Sequence, residues 1–240
     1  MRLLIFLLLP FAVFSQNILY NETCDGATIF KSYVKKQTAT SYGIIQAKDK
    51  CFAGTQSARF ELRDTDPEVQ SGTRSEITFP PATNLNRWYS YALYAPAADY
   101  KYDTDDDVIT QWHQGGSKTP ALCLRVKSDK LYLRILGATW VELGVFDKEA
   151  WHAYVMHVKH SSGSDGLIEI WKDGVRILYR AGANMYKVSG DIKNPNLKLG
   201  IYKSGWNGTS TTKTKKRVLY FDEIRVGNEK ATYNEMVPVR

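Results

Sequence analysis

The sequence predicts an all-β fold, a jelly roll or β-sandwich of two antiparallel sheets. Short runs alternate apolar and polar residues, and turn-forming residues separate these runs at regular spacing. No segment sustains the period of an amphipathic helix. Many short strands with frequent turns are typical of sandwiches and jelly rolls.

The predicted strands follow from this alternation. An aromatic-rich run comes first, and two hairpins and a long strand near the end follow it. In the second hairpin Asp173-Gly174 lies between the strands, which is typical of a two-residue turn. The predicted strands are 88–94, 122–126, 131–135, 167–171, 175–179 and 217–226.

The start of the chain predicts export. A basic Met1-Arg2 precedes a short apolar run that ends at Phe14, which is too short to span a bilayer. We therefore expect a signal peptide over 1–15, cleaved before Gln16, and a secreted protein, extracellular or periplasmic. No later segment is long and apolar enough to cross a membrane.

The remaining residues, 16–240, suit one jelly-roll domain, since no linker or internal repeat interrupts them. We expect a monomer. Cys24 and Cys51 could pair in an oxidising compartment, which would leave Cys123 buried or free.

The net charge of +7 indicates a polyanionic partner. Outside the cell an acidic polysaccharide is a commoner polyanion than nucleic acid. We therefore expect a polysaccharide substrate and no nucleic-acid partner.

Three predicted strands carry polar residues on one face. Side chains two apart share a face of a strand. Lys198, Gly200 and Tyr202 are the clearest case, because Leu197, Leu199 and Ile201 would face the core. A glycine inside a strand often marks a place where a ligand comes close. The other polar sets are Arg74, Glu76 and Thr78, and Gln111 with His113.

These segments resemble motifs of jelly-roll polysaccharide lyases, which have a concanavalin-like fold. Arg74-Ser75-Glu76, Gln111-Trp112-His113 and Lys198-Leu199-Gly200-Ile201-Tyr202 match R-x-E-(L/V), Q-(I/V)-H and K-x-G-x-Y in order and rough spacing. The residues at these positions are more similar to those of the heparin lyase I and glucuronan lyase group. This resemblance extends from about residue 20 to residue 227. Lys203-Ser204 departs from the alginate-lyase form, which disfavours alginate as the substrate.

The resemblance implies β-elimination at a uronic acid. Arg74 and Gln111 suit neutralisation of the uronate carboxylate, because a guanidinium and an amide can donate to it. His113 and Tyr202 are the candidates for base and acid. A cation such as Lys198 would favour the Tyr202 phenolate.

Stereochemistry distinguishes two arrangements. In glucuronate or mannuronate chains the C5 proton and O4 lie on one side of the ring, so Tyr202 can act as base and then as acid, assisted by His113. In iduronate or guluronate chains His113 would be the base and Tyr202 the acid. We expect the first, with an endo-acting lyase on glucuronan; ulvan, heparin-like chains and alginate are the alternatives.

Further residues are assigned by charge. Glu76 is expected to orient Arg74, while Lys198, Arg125, Arg134 and Lys203 are candidates for binding carboxylates or sulfates. No cofactor is required for this chemistry. The resemblance also implies a structural calcium ion, since related jelly rolls often carry one that joins the first and last strands; Asp222 and Glu22 are its candidate ligands. The acidic run 103–107 resembles a calcium loop in composition only, and Asn21 and Asn207 begin glycosylation sequons.

Two other functions compete with the lyase. A carbohydrate-binding module has the same architecture but needs no aligned His, Tyr, Gln and Arg. A glycoside hydrolase needs two carboxylates that face the scissile bond, and the sequence shows no E-x-D-x-x-E strand pattern.

Overall fold

The computed structural model describes residues 16–240 as two stacked antiparallel sheets, which confirms the predicted all-β fold. The predicted signal peptide lies outside these residues. Within residues 16–240 the fifteen strands are β1 (Ile18–Glu22), β2 (Lys35–Gln37), β3 (Ile44–Ala47), β4 (Ser57–Arg63), β5 (Arg74–Thr78), β6 (Asn86–Tyr94), β7 (Asp107–His113), β8 (Leu122–Lys127), β9 (Lys130–Ile135), β10 (Thr139–Val145), β11 (Trp151–Lys159), β12 (Leu167–Lys172), β13 (Val175–Ala181), β14 (Asn196–Tyr202) and β15 (Lys216–Gly227).

One sheet has the order β13-β12-β11-β6-β15-β4-β3, and β1 also pairs with β15. The second sheet has the order β10-β9-β8-β7-β14-β5-β2. We call this second one the groove sheet. The helices within residues 16–240 are short, a 3-10 turn at Ser204–Trp206 and α1 at Tyr233–Met236. No helix of that range could span a membrane.

Both predicted hairpins are present, and each closes on two residues with positive φ. Asp173 and Gly174 have φ of 50° and 85°, and Ser128 and Asp129 have φ of 51° and 56°. Two positive φ values are the hallmark of a type I′ turn, whose twist matches that of the flanking strands. The Asp-Gly signal therefore identified the second turn correctly.

The core lies between the sheets. It includes Leu197, Leu199 and Ile201 of β14, as their alternation predicts, and Ile77 of β5. Trp112 of β7 is also almost inaccessible. Since these inward residues alternate with polar ones, the polar residues of β5, β7 and β14 lie on the opposite face of the groove sheet.

Gly200 is required by packing within the groove sheet. Its φ is 136°, and a Cβ there would lie 2.2 Å from the Ser75 carbonyl oxygen and 2.8 Å from Glu76 Cα. Pairing with β7 also shifts register between Leu199 and Tyr202. Close approach of the β5 backbone therefore requires the glycine, and ligand approach at this position stays a prediction.

The three cysteines are unpaired. Cys24 and Cys123 are buried, and Cys51 is partly exposed. The Cys24–Cys51 bond that the sequence left open is not formed. Burial raises the pKa of the Cys123 thiol, which makes it a poor nucleophile.

Candidate active site

The polar residues of β5, β7 and β14 converge because these strands are neighbours in the order β7-β14-β5. Lys198 lies opposite Gln111 on one side and Thr78 on the other, and Tyr202 lies opposite Arg74. Directly opposed residues of an antiparallel pair point to the same face. One face therefore carries all three of the motifs identified in the sequence.

Glu76 connects two of these residues. Its side chain is only 1% exposed, and its carboxylate accepts hydrogen bonds from Arg74 Nη1 at 3.2 Å and from Gln111 Nε2. The expected contact with Arg74 is present, and the contact with Gln111 adds to it. A carboxylate bonded to both donors fixes their orientation, and each keeps further N–H groups for a ligand.

The electrostatics favour an anion. Arg74 and Lys198 contribute two positive charges beside the single carboxylate of Glu76, and all three side chains are largely buried. Burial lowers the pKa of Lys198; Glu76 opposes this effect and Arg74 adds to it. A bound carboxylate would relieve the repulsion between the two cations.

His113 is held in its neutral form. Burial, Lys198 and Arg74 together lower its pKa from 6.5 to about 4. The Gly115 backbone N–H donates to His113 Nδ1 at 2.8 Å. Because Nδ1 is the acceptor, the neutral ring carries its proton on Nε2 and offers a donor there.

Tyr202 is positioned by three contacts. The Arg74 guanidinium lies 4.6 Å from the centre of its ring. Asn207 Nδ2 donates to its hydroxyl at 3.2 Å, and Asn207 Oδ1 accepts from the Thr73 N–H at 2.8 Å. Gly72 lies behind the ring, since a Cβ there would come within 2.7 Å of both Tyr202 and Arg74.

Asn207 and Gly72 were missed in the sequence. The 3-10 turn at Ser204–Trp206 brings Asn207 back to Tyr202, and no local pattern shows that contact. The only signal at Asn207 was its sequon, which points to glycosylation and not to an active site.

The structure contradicts Lys203 as a substrate-binding residue. Its side chain is fully buried, and Nζ lies 3.2 Å from Asp103, 3.4 Å from Asp105 and 2.8 Å from Asp107. Arg217 pairs with Asp103 and Asp107 in the same cluster. Aspartates of the acidic run 103–107 therefore form ion pairs with the buried side chains of Lys203 and Arg217. These ion pairs explain the composition of the run without calcium.

Arg125 and Arg134, the two arginines expected to bind substrate, differ in whether their charge is already paired. Arg125 is 5% exposed and its guanidinium pairs with Asp106, so its charge is already compensated and it is not a free binding group. Arg134 is partly exposed on β9 and has no ion pair within residues 16–240. Its buried Nε has no hydrogen-bond partner there.

The two predicted calcium ligands accept hydrogen bonds from the backbone. Glu22 accepts from the N–H groups of Cys24 and Phe30, and Asp222 accepts from those of Phe52, Ala53 and Glu223. No group of three or more His, Cys, Asp or Glu residues that could hold a metal lies within 16–240. The calcium ion stays a prediction, and the donors present do not favour it.

Solved structures share this fold. The endo-β-1,4-glucuronan lyase from the fungus Trichoderma reesei matches with a TM-score of 0.73 at 18% identity, over 92% of this chain and 98% of that one. The alginate lyase AlgAT5 of polysaccharide lyase family 7 matches with a TM-score of 0.57 at 13% identity, over 78% and 82%. The cellulose induced protein Cip1 matches with a TM-score of 0.63 at 10% identity, over 89% and 98%.

No curated protein matches the chain in sequence. The family model described as polysaccharide lyase matches residues 26–225, which include all three motifs and every strand from β2 to β14. The chain therefore belongs to the polysaccharide lyase family.

Proposed function

We propose that the chain is a secreted, endo-acting lyase that cleaves β-1,4-linked glucuronan by β-elimination. Arg74 and the free N–H of Gln111 bind the carboxylate of the uronate to be cleaved, and Glu76 holds both donors. Neutralising that carboxylate makes the C5 proton more acidic and stabilises the enolate-like anion that forms on its removal.

Tyr202 is both base and acid in this proposal. Its phenolate takes the C5 proton, the electron pair forms the C4–C5 double bond, and the C4–O4 bond breaks. The resulting phenol then protonates O4 of the leaving chain and returns to the phenolate. Arg74 over the ring and Asn207 at the hydroxyl stabilise the phenolate.

The hydrogen bond from Gly115 N–H to His113 Nδ1 is the observation that carries this assignment. A neutral imidazole that accepts at Nδ1 has a proton on Nε2, so it donates into the site and cannot accept the C5 proton there. Tyr202 then serves both steps, which requires the C5 proton and O4 on one side of the ring. Glucuronate meets that requirement, and guluronate and iduronate do not.

The described part of the site disfavours a glycoside hydrolase. Among residues 16–240 it contains one carboxylate, Glu76, which is bonded to Arg74 and Gln111. Hydrolysis needs a second carboxylate across the scissile bond. A binding module needs neither the neutral His113 nor the positioned Tyr202.

One assay separates these functions. The protein is incubated with glucuronan, ulvan, heparin and alginate, and the ultraviolet absorbance of an unsaturated uronate is followed. We expect the fastest rise on glucuronan and a rapid fall in chain length. A faster rise on alginate or heparin would overturn the substrate assignment; reducing ends without absorbance, or binding without cleavage, would overturn the reaction.

A further inference from the structure

A single row of opposed residues crosses the groove sheet from the candidate site to its edge. Lys198 on β14 faces Gln111 on β7, which faces Cys123 on β8. Cys123 in turn faces Arg134 on β9, and Arg134 faces Trp140 on β10. Since opposed residues share a face, this row continues the site on the same side of the sheet.

The far end of the row combines an aromatic platform with an uncompensated cation. Trp140 is 42% exposed on the edge strand, and Tyr132 supports it edge-on at 5.7 Å between ring centres. The Arg134 guanidinium lies 5.9 Å from the Trp140 ring centre. Arg125 also lies near the ring at 5.5 Å, but Asp106 compensates its charge.

Arg134 therefore has donors to offer a ligand. Its Nε is buried without a hydrogen-bond partner within residues 16–240, and a buried unpaired donor is costly unless a ligand satisfies it. Cys123, between Gln111 and Arg134, is fully buried, and Arg125 Nη1 lies 3.8 Å from its thiol, so the arginines form the surface of the row at this point.

We propose that Trp140 and Arg134 form a distal subsite for a second uronate of the same chain. The Trp140 face binds the apolar face of the sugar ring, and Arg134 binds its carboxylate. Neighbouring strands are about 4.8 Å apart, so three strand spacings place Trp140 about 14 Å from Gln111. One sugar residue of an extended chain spans about one strand spacing, so the subsite lies roughly two to three residues from the bond that is cleaved.

This inference rests on the proposed function, and its test separates the two. Oligoglucuronates of about two to six residues, the longest of which covers the row, are titrated calorimetrically into Tyr202→Phe, which is expected to bind without cleaving. We expect Trp140→Ala in this background to weaken binding of the longest oligosaccharide about tenfold. Binding of the disaccharide should not change, because it does not reach β10.

Arg134→Gln gives an independent test, because this substitution should weaken binding of the longest oligosaccharide and reduce the salt dependence of that binding. In the active protein, Trp140→Ala should raise KM on polymer and leave kcat unchanged. Trp140→Phe should restore part of the affinity.

The matched control is Tyr179→Ala. Tyr179 is a 62% exposed aromatic residue with Arg176 stacked over it at 5.4 Å, on β13 of the other sheet. The Tyr179→Ala substitution should change none of these affinities or kinetic constants. Unchanged affinity of Trp140→Ala for the longest oligosaccharide, with cleavage of glucuronan intact, would overturn the subsite alone. Failure of the unsubstituted chain to bind or cleave glucuronan would overturn both proposals.

Discussion

At the scale of single residues, the site depends on which partner each polar group already has. Glu76 occupies one donor each of Arg74 and Gln111, Gly115 occupies one nitrogen of His113, and Asn207 occupies the Tyr202 hydroxyl. The remaining donors and acceptors are those that a uronate could use. These partners convert a set of common residue types into a directional site.

His113 should titrate far below an ordinary histidine. Its pKa is lowered to about 4 in the folded state, against about 6.5 when unfolded. The neutral form is therefore favoured on folding. The resulting contribution to stability is present above pH 6.5 and is lost progressively as the pH falls towards 4.

NMR of the histidine ring protons, assigned with His113→Gln, measures this directly. We expect a midpoint near pH 4 and an acid limit of kcat/KM at a similar pH. A midpoint near 6.5 would mean that His113 is solvated and free to be the base.

Asn207→Asp tests the stabilisation of the phenolate. The retained Oδ1 can still accept from Thr73, but the group at the Tyr202 hydroxyl changes from a donor to an anion. We expect kcat at neutral pH to fall at least about tenfold and to recover partly at higher pH, because a charge-assisted hydrogen bond is replaced by repulsion.

The control for Asn207→Asp is Thr209→Ala, which removes the sequon without touching Asn207. It should leave the pH profile unchanged. An unshifted profile for Asn207→Asp would show that this amide does not act on Tyr202, whereas equal losses in both variants would implicate a glycan.

At the scale of elements, β14 positions the site because it pairs with β5 on one side and β7 on the other. Its alternation places Lys198 and Tyr202 outward and three apolar residues inward. The central Gly200 allows β5 to approach, so that Tyr202 comes opposite Arg74.

Gly200→Ala should therefore destabilise the fold. The added methyl group would overlap the β5 backbone, and φ of 136° is unfavourable for alanine. We expect a loss of about 2–4 kcal/mol in the free energy of unfolding, measured by urea denaturation. Gly208→Ala is the control, because its Cβ would meet nothing within 4 Å although its φ is also positive. Equal losses in the two variants would attribute the effect to backbone conformation alone.

The sequence was sufficient for several elements whose alternation is regular. It predicted β14 and both hairpins because their period and turn residues are local properties. It missed β1, β2, β3, β4, β10 and β11. Of these, β2 and β3 are only three and four residues long, and the register of β10 is irregular at Gly144. β4 and β11 have seven and nine residues, and β4 was missed although its polar and apolar residues alternate.

The burial of Lys203 and the return of Asn207 to Tyr202 could not be predicted either. Both depend on contacts between segments that are distant in the chain or joined by an irregular turn. In the sequence Lys203 is simply a basic residue beside a tyrosine, and only the fold brings three aspartates to it.

At the scale of the whole molecule, a buried ion-pair cluster joins the two sheets behind the site. Lys203 follows β14, Asp107 begins β7, and Arg217 belongs to β15 of the other sheet. The cluster thus connects the end of the strand that bears Tyr202 to both layers.

Lys203→Met should lower the free energy of unfolding by about 3–5 kcal/mol, because the substitution leaves carboxylates buried without their main counter-charge. Lys215→Met is the control: its ion pair with Asp64 is 68% exposed on the lysine side and should contribute at most about 1 kcal/mol. Equal midpoints of urea unfolding for both variants would contradict a structural role for the cluster.

The central claim is that Tyr202 performs the elimination on a glucuronate chain. The direct measurement is the initial rate of unsaturated product from purified glucuronan, by ultraviolet absorbance, for the parent protein and Tyr202→Phe. We predict a rise for the parent and a loss of at least about a thousandfold for the variant, since both proton transfers are removed. Near-parental turnover by Tyr202→Phe, with its urea midpoint unchanged, would contradict the account.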